Sequence, residues 1–202
     1  MKRIAVSQRL DPVPGRDERR EGLDIKLGEL LWSLGFLPIP LVNGIDDPVS
    51  YVNELRPDGI LLSGGNDIGG APERDALEYA ALDYAETSRC PVLGICRGMQ
   101  MINHRQGGKL HPVSGHIGVT HRVEGPLITN GRTVNSYHGY AIAKEDLGTN
   151  LEPLAFNSDD GTVEALRHNN LPWLAFMWHP ERDRPWNPVD LDLIGKHLGA
   201  SY

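Results

Sequence analysis

The fold is decided by residues 91–100, which read PVLGICRGMQ. An apolar run leads up to Cys96, and Gly94 and Gly98 stand two residues before and after it. Glycine at both positions lets the backbone turn sharply from a strand into a helix without Cβ clashes. The pattern predicts a strand–turn–helix unit that exposes the sulfur of Cys96, and the positive end of the helix dipole favours its thiolate form.

Composition limits the classes of protein to consider. The chain has 202 residues, 40% of them hydrophobic, which fits a single domain over residues 1–202 with a sizeable core. Its formal charge of −7 argues against nucleic-acid binding. No apolar run of about 18 residues is present, so we expect no membrane span. With only Cys90 and Cys96 and no signal-peptide pattern, we expect a reducing, cytoplasmic location, and a buried, unreactive Cys90.

The apolar pattern predicts an α/β fold with a doubly wound, mostly parallel sheet flanked by helices. Continuous apolar runs predict buried strands over residues 3–7, 37–42, 59–63, 91–95 and 173–178. Leucines and alanines at helical spacing predict helices over 17–34 and 72–88, and a short helix closes the chain over 189–198. Between residues 109 and 167, short β-like pieces predict a small antiparallel ribbon near the active edge.

A second functional group follows another predicted strand end. His179 comes directly after the strand over 173–178, and Glu181 lies two residues further on. Ligands of open α/β sheets bind outside the carboxyl ends of the strands, so Cys96 and His179 are expected to share one edge. A histidine there can take the thiol proton and return it to a leaving amine, while the glutamate orients the ring. Cys96, His179 and Glu181 therefore form a candidate catalytic triad.

A candidate oxyanion hole follows a third strand end. The strand over 59–63 runs into Gly64 and Gly65, which let backbone N–H groups approach a ligand closely. We expect the N–H of Gly65, together with that of Arg97, to hold the negative charge that develops on a substrate carbonyl oxygen.

These motifs resemble a known family. GICRGMQ (94–100), WHPE (178–181) and SGGNDI (63–68) look like class I glutamine amidotransferases, a flavodoxin-like fold. NSYH (135–138) and DGTVEA (160–165) narrow the resemblance to the free-standing γ-glutamyl hydrolase branch, the group of γ-glutamyl-γ-aminobutyrate hydrolase.

The resemblance implies hydrolysis of a small-molecule γ-glutamyl amide through a thioester on Cys96, with no cofactor. It further implies that Gly64, Gln100 and the backbone of Ser136 and Tyr137 bind the glutamyl group. The chain departs from that branch at residues 138–140, which read HGY instead of His-His-Gln.

The leaving group is suggested by the N-terminal region. SQR (7–9) and ERREGLD (18–24) resemble a smaller subgroup, similar to γ-glutamyl-CDP-amidate hydrolase and associated with phosphoramidate synthesis for surface polysaccharides such as capsules. Arg9 follows the first strand, and Arg19 opens the predicted first helix, so both are expected at the active edge. Together with Arg20, Arg182 and Arg184 they suit a phosphate-bearing leaving group. The alternative is that these arginines pair with Asp17, Glu18, Glu21 and Asp183 as a solvated face.

Other functions and sites remain open. The chain fits a glutaminase subunit that passes ammonia to a synthetase, a hydrolase of another γ-glutamyl amine, or, with least support, a non-catalytic γ-glutamyl-binding regulator. Oligomeric state is open, including a homodimer. Four histidines invite a zinc site, but their spacing fits no familiar ligand pattern and cysteine partners are lacking, so we predict no metal. They are His104, His111, His116 and His121.

Overall fold

The computed structural model describes residues 1–200, apart from the side chain of Thr129. Its strands are β1 Arg3–Val6, β2 Arg9–Pro12, β3 Arg19–Gly22, β4 Leu37–Pro40, β5 Gly59–Leu62, β6 Val92–Ile95, β7 His111–Pro112, β8 Ile117–Gly125, β9 Ile128–Tyr137, β10 Tyr140–Ala141, β11 Leu151–Asn157, β12 Val163–His168 and β13 Trp173–Phe176. Its helices are α1 Ile25–Ser33, α2 Pro48–Leu55, α3 Pro72–Ser88, α4 Arg97–Arg105 and α5 Pro188–Leu198, with a 3₁₀ turn at Lys144–Asp146. None of these helices combines the length and the apolar character that crossing a bilayer requires.

A central sheet carries nine of these strands in the order β4-β1-β5-β6-β13-β12-β11-β8-β9. The first five are parallel and correspond to the five predicted apolar runs. One core cluster packs α1 and α5 against one face, and a second packs α2, α3 and α4 against the other. The doubly wound α/β class is confirmed, because strands buried on both faces need helices on both sides.

The antiparallel region extends this same sheet. Strands β12, β11, β8 and β9 continue from β13 as antiparallel neighbours, and β8 and β9 form a long hairpin. The predicted pieces are antiparallel as expected, but longer, and they share the main sheet because β12 hydrogen-bonds directly to β13. Two small antiparallel pairs, β2–β3 and β7–β10, stand apart from it.

The predicted helix over 17–34 is wrong in its first half. Residues Arg19–Gly22 form β3, paired with β2, and the helix starts only at Ile25. Asp24 ends the extended segment because its side chain accepts a hydrogen bond from the N–H of Lys26 at 3.0 Å and caps the helix. Arg19 therefore lies in a hairpin and does not open a helix. Helix α2 was not predicted.

Both cysteines are free thiols in this fold. Cys90 is buried, and burial raises the pKa of its thiol to about 12, so it is an inert core residue as expected.

Candidate active site

The turn at Cys96 has the geometry that its glycines predicted. Cys96 has φ +52° and ψ −105°, an unfavourable conformation for a residue with a Cβ. A Cβ on Gly98 would lie 2.1 Å from the carbonyl oxygen of Leu62, and one on Gly94 would lie 2.7 Å from the carbonyl carbon of Gly98. Only glycine fits at both positions, so this close packing fixes the strained turn that carries the thiol.

His179 and Glu181 lie beside this turn. The N–H of Cys96 donates to the carbonyl of Phe176, the last residue of β13, at 2.8 Å, which brings the two neighbouring strand ends together. The imidazole Nδ1 of His179 is 2.7 Å from Oε1 of Glu181. The ring also lies near Cys96, since a Cβ on Gly64 would be 2.8 Å from Cε1 of His179 and 3.6 Å from Cβ of Cys96. Burial lowers the pKa of His179, but the hydrogen bonds and charges of Cys96 and Glu181 outweigh it and raise the pKa to about 9. The arrangement can move a proton between the thiol and a bound substrate.

Asn135 holds the backbone of His179 in place. Its Oδ1 accepts from the N–H of His179 at 2.9 Å, and its Nδ2 donates to the carbonyl of His179 at 2.8 Å and to Asp183 at 3.0 Å. Sequence reasoning assigned no role to Asn135, although it begins the NSYH segment. Because Asn135 bonds both the N–H and the carbonyl of His179, it fixes the backbone position from which the imidazole side chain extends.

Arg74 organises the loop that follows β5. This fully buried guanidinium donates to the carbonyls of Ser63 (2.6 Å), Gly64 (3.2 Å) and Gly65 and to Oδ1 of Asn66 (3.2 Å). Gly65 adopts φ +85°, which glycine allows at little cost. The carbonyls of the loop point at Arg74. The N–H of Gly65 makes no hydrogen bond with any of the described residues.

A buried charge network joins this loop to α4, the helix that follows Cys96. Glu78 accepts from Arg74 at 2.8 Å and also pairs with Arg97, which pairs in turn with Asp75. Both terminal nitrogens of the Arg97 side chain make these contacts. Its backbone N–H, at the first turn of α4, makes no hydrogen bond within the described part of the chain. Arg74 and Glu78 were missed, but they lie one turn apart on the same face of α3 as Leu77 and Ala81, a position where buried charge is unusual.

The predicted glutamyl-binding residues lie in different environments. Tyr137 packs edge-on against the His179 ring at 5.7 Å, and the guanidinium of Arg182 lies 4.2 Å from the Tyr137 ring centre. Ser136 is fully buried and its hydroxyl donates to the carbonyl of His116 at 2.6 Å, so only its backbone is available. Gln100 is buried, donates to the carbonyl of Tyr140 at 3.2 Å and lines a separate cavity of about 400 Å³.

A cavity of about 300 Å³ adjoins the candidate triad. It is lined by Gly64, Gly65, His179 and Glu181 together with Arg9, Leu23 and Arg182. A Cβ on Gly65 would lie 3.4 Å from Cβ and Cδ of Arg9, so the arginine stem borders the loop of the candidate oxyanion hole. Arg9 is therefore placed where the sequence predicted it.

Arg19 does not line the cavity beside His179 but the next one along the surface. It lines a neighbouring cavity of about 650 Å³ with Arg20, Glu21 and Asn43. The arginines of this region also have carboxylate partners, as the alternative interpretation expected, although mostly different ones: Arg9–Asp11 (2.9 Å), Arg19–Glu73 (2.7 Å), Arg20–Glu18 (2.7 Å), Arg182–Glu181 (3.8 Å) and Arg184–Glu29. Ion pairs as exposed as Arg9–Asp11 contribute little free energy, so an anionic ligand can compete with the carboxylate for such an arginine.

The four histidines considered for zinc separate into two kinds. His104 contacts the hydroxyl of Tyr79, and His111 contacts Asp146 at 2.6 Å, both at the surface. His116 and His121 are buried and lie with Glu164 in a group whose ligand-type atoms are all within 4.8 Å of one another.

Comparisons with known proteins agree with this architecture. The family model "Glutamine amidotransferase class-I" matches residues 40–185. The chain is 33% identical over 198 residues to a γ-glutamyl-CDP-amidate hydrolase of Campylobacter jejuni, covering 93% of this chain and 94% of that one. It is 34% identical to the carbamoyl phosphate synthase small chain of Rubrivivax gelatinosus over 66% of this chain, but spans only 34% of that relative. The crystal structure of a GMP synthase-like protein from Thermoplasma acidophilum superposes with a TM-score of 0.72 at 21% identity, covering 99% of this chain and 94% of that one.

Proposed function

Because the chain belongs to the class I glutamine amidotransferase family, we propose that it hydrolyses a γ-glutamyl amide through a γ-glutamyl thioester on Cys96. The observation that carries this proposal is the position of His179, which bonds Glu181 through Nδ1 at 2.7 Å and lies beside Cys96, since a Cβ on Gly64 would touch both side chains. That is the arrangement a nucleophile, a base and an orienting carboxylate require.

The first half-reaction forms the thioester. The sulfur of Cys96 attacks the carbonyl carbon of the γ-amide, and His179 holds the thiol proton. The oxyanion accepts hydrogen bonds from the N–H groups of Gly65 and Arg97. As the C–N bond breaks, His179 passes the proton to the leaving nitrogen, which departs as a neutral amine or amidate.

The second half-reaction releases glutamate. Water takes the place of the departed amine, and His179 accepts a proton from it as its oxygen attacks the thioester carbonyl. The C–S bond then breaks, and the proton returns to the sulfur of Cys96. Glu181 keeps its carboxylate on Nδ1 throughout, which holds the ring orientation and stabilises the imidazolium.

For the leaving group, our proposal is a nucleotide amidate of the γ-glutamyl-CDP-amidate type, used in surface-polysaccharide phosphoramidate synthesis. Two observations support it: the similarity to a relative named for that substrate, over nearly the whole chain, and the cavity that places Arg9 and Arg182 beside His179. Guanidinium groups match phosphate oxygens in two-point contacts. A γ-glutamyl-γ-aminobutyrate or other γ-glutamyl amine hydrolase is the alternative within the same chemistry.

A second candidate function is a glutaminase subunit that passes ammonia to a synthetase. The similarity to carbamoyl phosphate synthase small chains favours it, although the chain spans about a third of those relatives. Full activity of the purified chain on γ-glutamyl amides would favour the free-standing hydrolase. Activity that appears only with a synthetase would favour the second function.

A substrate panel tests the leaving group. Purified protein is assayed with glutamine, γ-glutamyl-γ-aminobutyrate, a γ-glutamyl peptide, folate polyglutamate and a γ-glutamyl nucleotide amidate. Arg9→Ala and Arg19→Ala should slow only the phosphate-bearing substrate, with the larger effect at Arg9 because it borders the cavity beside His179. Arg16→Ala is the matched control, since Arg16 is exposed and pairs only with Glu18. If both variants keep wild-type selectivity for the nucleotide amidate, the leaving-group proposal is wrong.

A further inference from the structure

A buried cluster of three histidines and one glutamate lies outside the candidate active site. It consists of His116, His121, His138 and Glu164, here called the histidine cluster. All four side chains are more than nine-tenths buried, and Glu164 is completely buried. The cluster joins the β8–β9 hairpin and the residues flanking it, which supply the histidines, to β12, which supplies the glutamate.

The donor atoms of His116, His121 and Glu164 all lie within 4.8 Å of one another, and that of His138 lies close to two of these three residues. His116 Nδ1 is 3.3 Å from His138 Nε2, His138 Nε2 is 3.5 Å from Glu164 Oε1, and His121 Nε2 is 3.3 Å from Glu164 Oε2. Tetrahedral zinc with bonds of about 2.0–2.1 Å holds neighbouring ligand atoms about 3.3–3.4 Å apart. Ordinary hydrogen bonds between such groups are shorter, about 2.7–3.2 Å.

Hydrogen bonds around the cluster direct two imidazole lone pairs inward. His116 has its Nε2 2.9 Å from the carboxylate of Asp160, which can only accept, so Nε2 carries the proton and Nδ1 is free to bind. His138 donates from Nδ1 to the carbonyl of Tyr140 at 2.9 Å, which leaves the Nε2 lone pair facing His116. Two lone pairs 3.3 Å apart repel unless a cation or a proton lies between them. Carboxylate and carbonyl partners of this kind orient metal-binding histidines in general.

Three polar atoms of the cluster have ionisable neighbours at 3.3–3.5 Å but no hydrogen bond. Both oxygens of Glu164 and Nε2 of His121 make no hydrogen bond within the described residues. A buried carboxylate without hydrogen bonds is costly, which calls for a positive charge close to it.

We propose that the histidine cluster binds one divalent cation of the zinc class, as a structural site outside the catalytic centre. Three nitrogen ligands and one carboxylate suit zinc, whereas magnesium and calcium prefer oxygen ligands throughout. His116, His121 and Glu164 supply three ligands that one ion can reach, and His138, beside His116 and Glu164, has to move in as the fourth. Ligation by His121 Nε2 places a proton on Nδ1, so the amide of Asn157, now donating to Nδ1 at 3.1 Å, has to present its oxygen there. The Oδ1 of Asn157 now accepts from the N–H of Asp159 at 2.8 Å, so turning the amide gives up that hydrogen bond as well.

The cation would hold β9 in place, and the candidate active site depends on that strand. Strand β9 lies between the ligands of the hairpin and carries Asn135 and Tyr137, which contact His179. The spacing of His116 and His121 predicted no metal, because His138 and Glu164 come from other segments and join them only in the folded chain.

The test measures bound metal, not activity. Full-length protein is dialysed against metal-free buffer, and its metal content is measured by mass spectrometry. The proposal predicts about one zinc per chain, and metal-stripped protein titrated with Co²⁺ should show the intense visible absorption of four-coordinate cobalt. His116→Ala and Glu164→Gln should lower the affinity at least about tenfold to a hundredfold, as losses even of outer contacts do. His104→Ala is the matched control and should keep its zinc, because the His104 side chain contacts Tyr79 at the surface and is not part of the histidine cluster.

Wild-type protein keeps the test decisive if a cluster variant fails to fold. Zinc added to the stripped wild type should raise its melting temperature, and a chelator should reverse the rise. A wild type that retains no zinc, shows no thermal shift with zinc and gives only the weak absorption of six-coordinate cobalt would overturn the proposal. The cluster would then be a histidine pair sharing a proton above Glu164. Equal zinc loss in His104→Ala would overturn it as well.

Discussion

Substituting alanine for Gly64 places one methyl group against the candidate catalytic histidine. A Cβ built there lies 2.8 Å from Cε1 of His179 and 3.6 Å from both its Nε2 and Cβ of Cys96. The ring has to retreat by about 0.6 Å to reach an ordinary contact of 3.4 Å. Gly64 has no positive φ, so the backbone itself accepts alanine without strain.

The expected effect follows from that displacement. His179 is held by Glu181 on one side and Asn135 at its backbone, so the ring moves away from Cys96 and the proton path lengthens. Misplacement of a catalytic group by about 1 Å costs about a hundredfold, so we expect kcat/KM for γ-glutamyl amide hydrolysis to fall about tenfold to a hundredfold. The assay is the initial rate of glutamate release, with the melting temperature measured in parallel.

Gly28→Ala provides the matched control. Gly28 lies inside α1, and a Cβ there has no atom within 4 Å. Alanine should stabilise the helix by about 0.5–1 kcal/mol and leave kcat/KM unchanged. A folded Gly64→Ala variant with wild-type kcat/KM would refute the placement of Gly64 against the working histidine.

Three further changes address the supports of the site. Asn135→Ala removes both hydrogen bonds to the backbone of His179. It should lower kcat about tenfold or more with little change in KM, as measured by steady-state kinetics. An unchanged kcat would mean that Asn135 does not position the histidine. Arg74→Gln leaves Glu78 and the carbonyls of the Gly64–Gly65 loop short of donors and should cost about 3–5 kcal/mol in the free energy of unfolding, measured with urea; a cost below about 1 kcal/mol would contradict the network's role. The raised pKa of His179 contributes stability that is complete below pH 6.5 and is lost as pH rises through about 9. The free energy of unfolding should therefore fall by up to about 3 kcal/mol across that window, and by less in Cys96→Ser. A free energy of unfolding that does not change with pH would contradict this reasoning.

Local sequence patterns predicted the parallel half of the fold and pointed to the candidate triad because each depends on neighbouring residues. Apolar runs mark strands buried on both faces, and the glycines around Cys96 mark a turn whose close packing leaves no room for a Cβ. His179 and Glu181 were found because they directly follow a strand end.

The parts that were missed depend on contacts between distant segments. Residues 17–24 carry a helix-compatible composition, but pairing of β3 with β2 outweighs that weak preference. The helical spacing of Arg74 and Glu78 was visible in the sequence, but their other partners, the loop after β5 and Arg97 on α4, were not. The neighbours of His116 come from β8, β12 and the residue after β9, so no local spacing reveals that group. Arg19 pairs with Glu73 of α3, a distant segment that only the folded chain brings near, whereas Arg9 pairs with Asp11 of its own strand.

The central claim is that Cys96 carries the γ-glutamyl group during the reaction. The most direct measurement is to mix the protein with a γ-glutamyl substrate, stop the reaction with acid within the first turnovers and determine by peptide mass spectrometry where a glutamyl group is attached. We predict one glutamyl adduct on the peptide that contains Cys96, and none in Cys96→Ser, which should also lack turnover. A Cys96→Ser protein that hydrolyses the substrate at the wild-type rate, or an adduct on any other residue, would contradict the account.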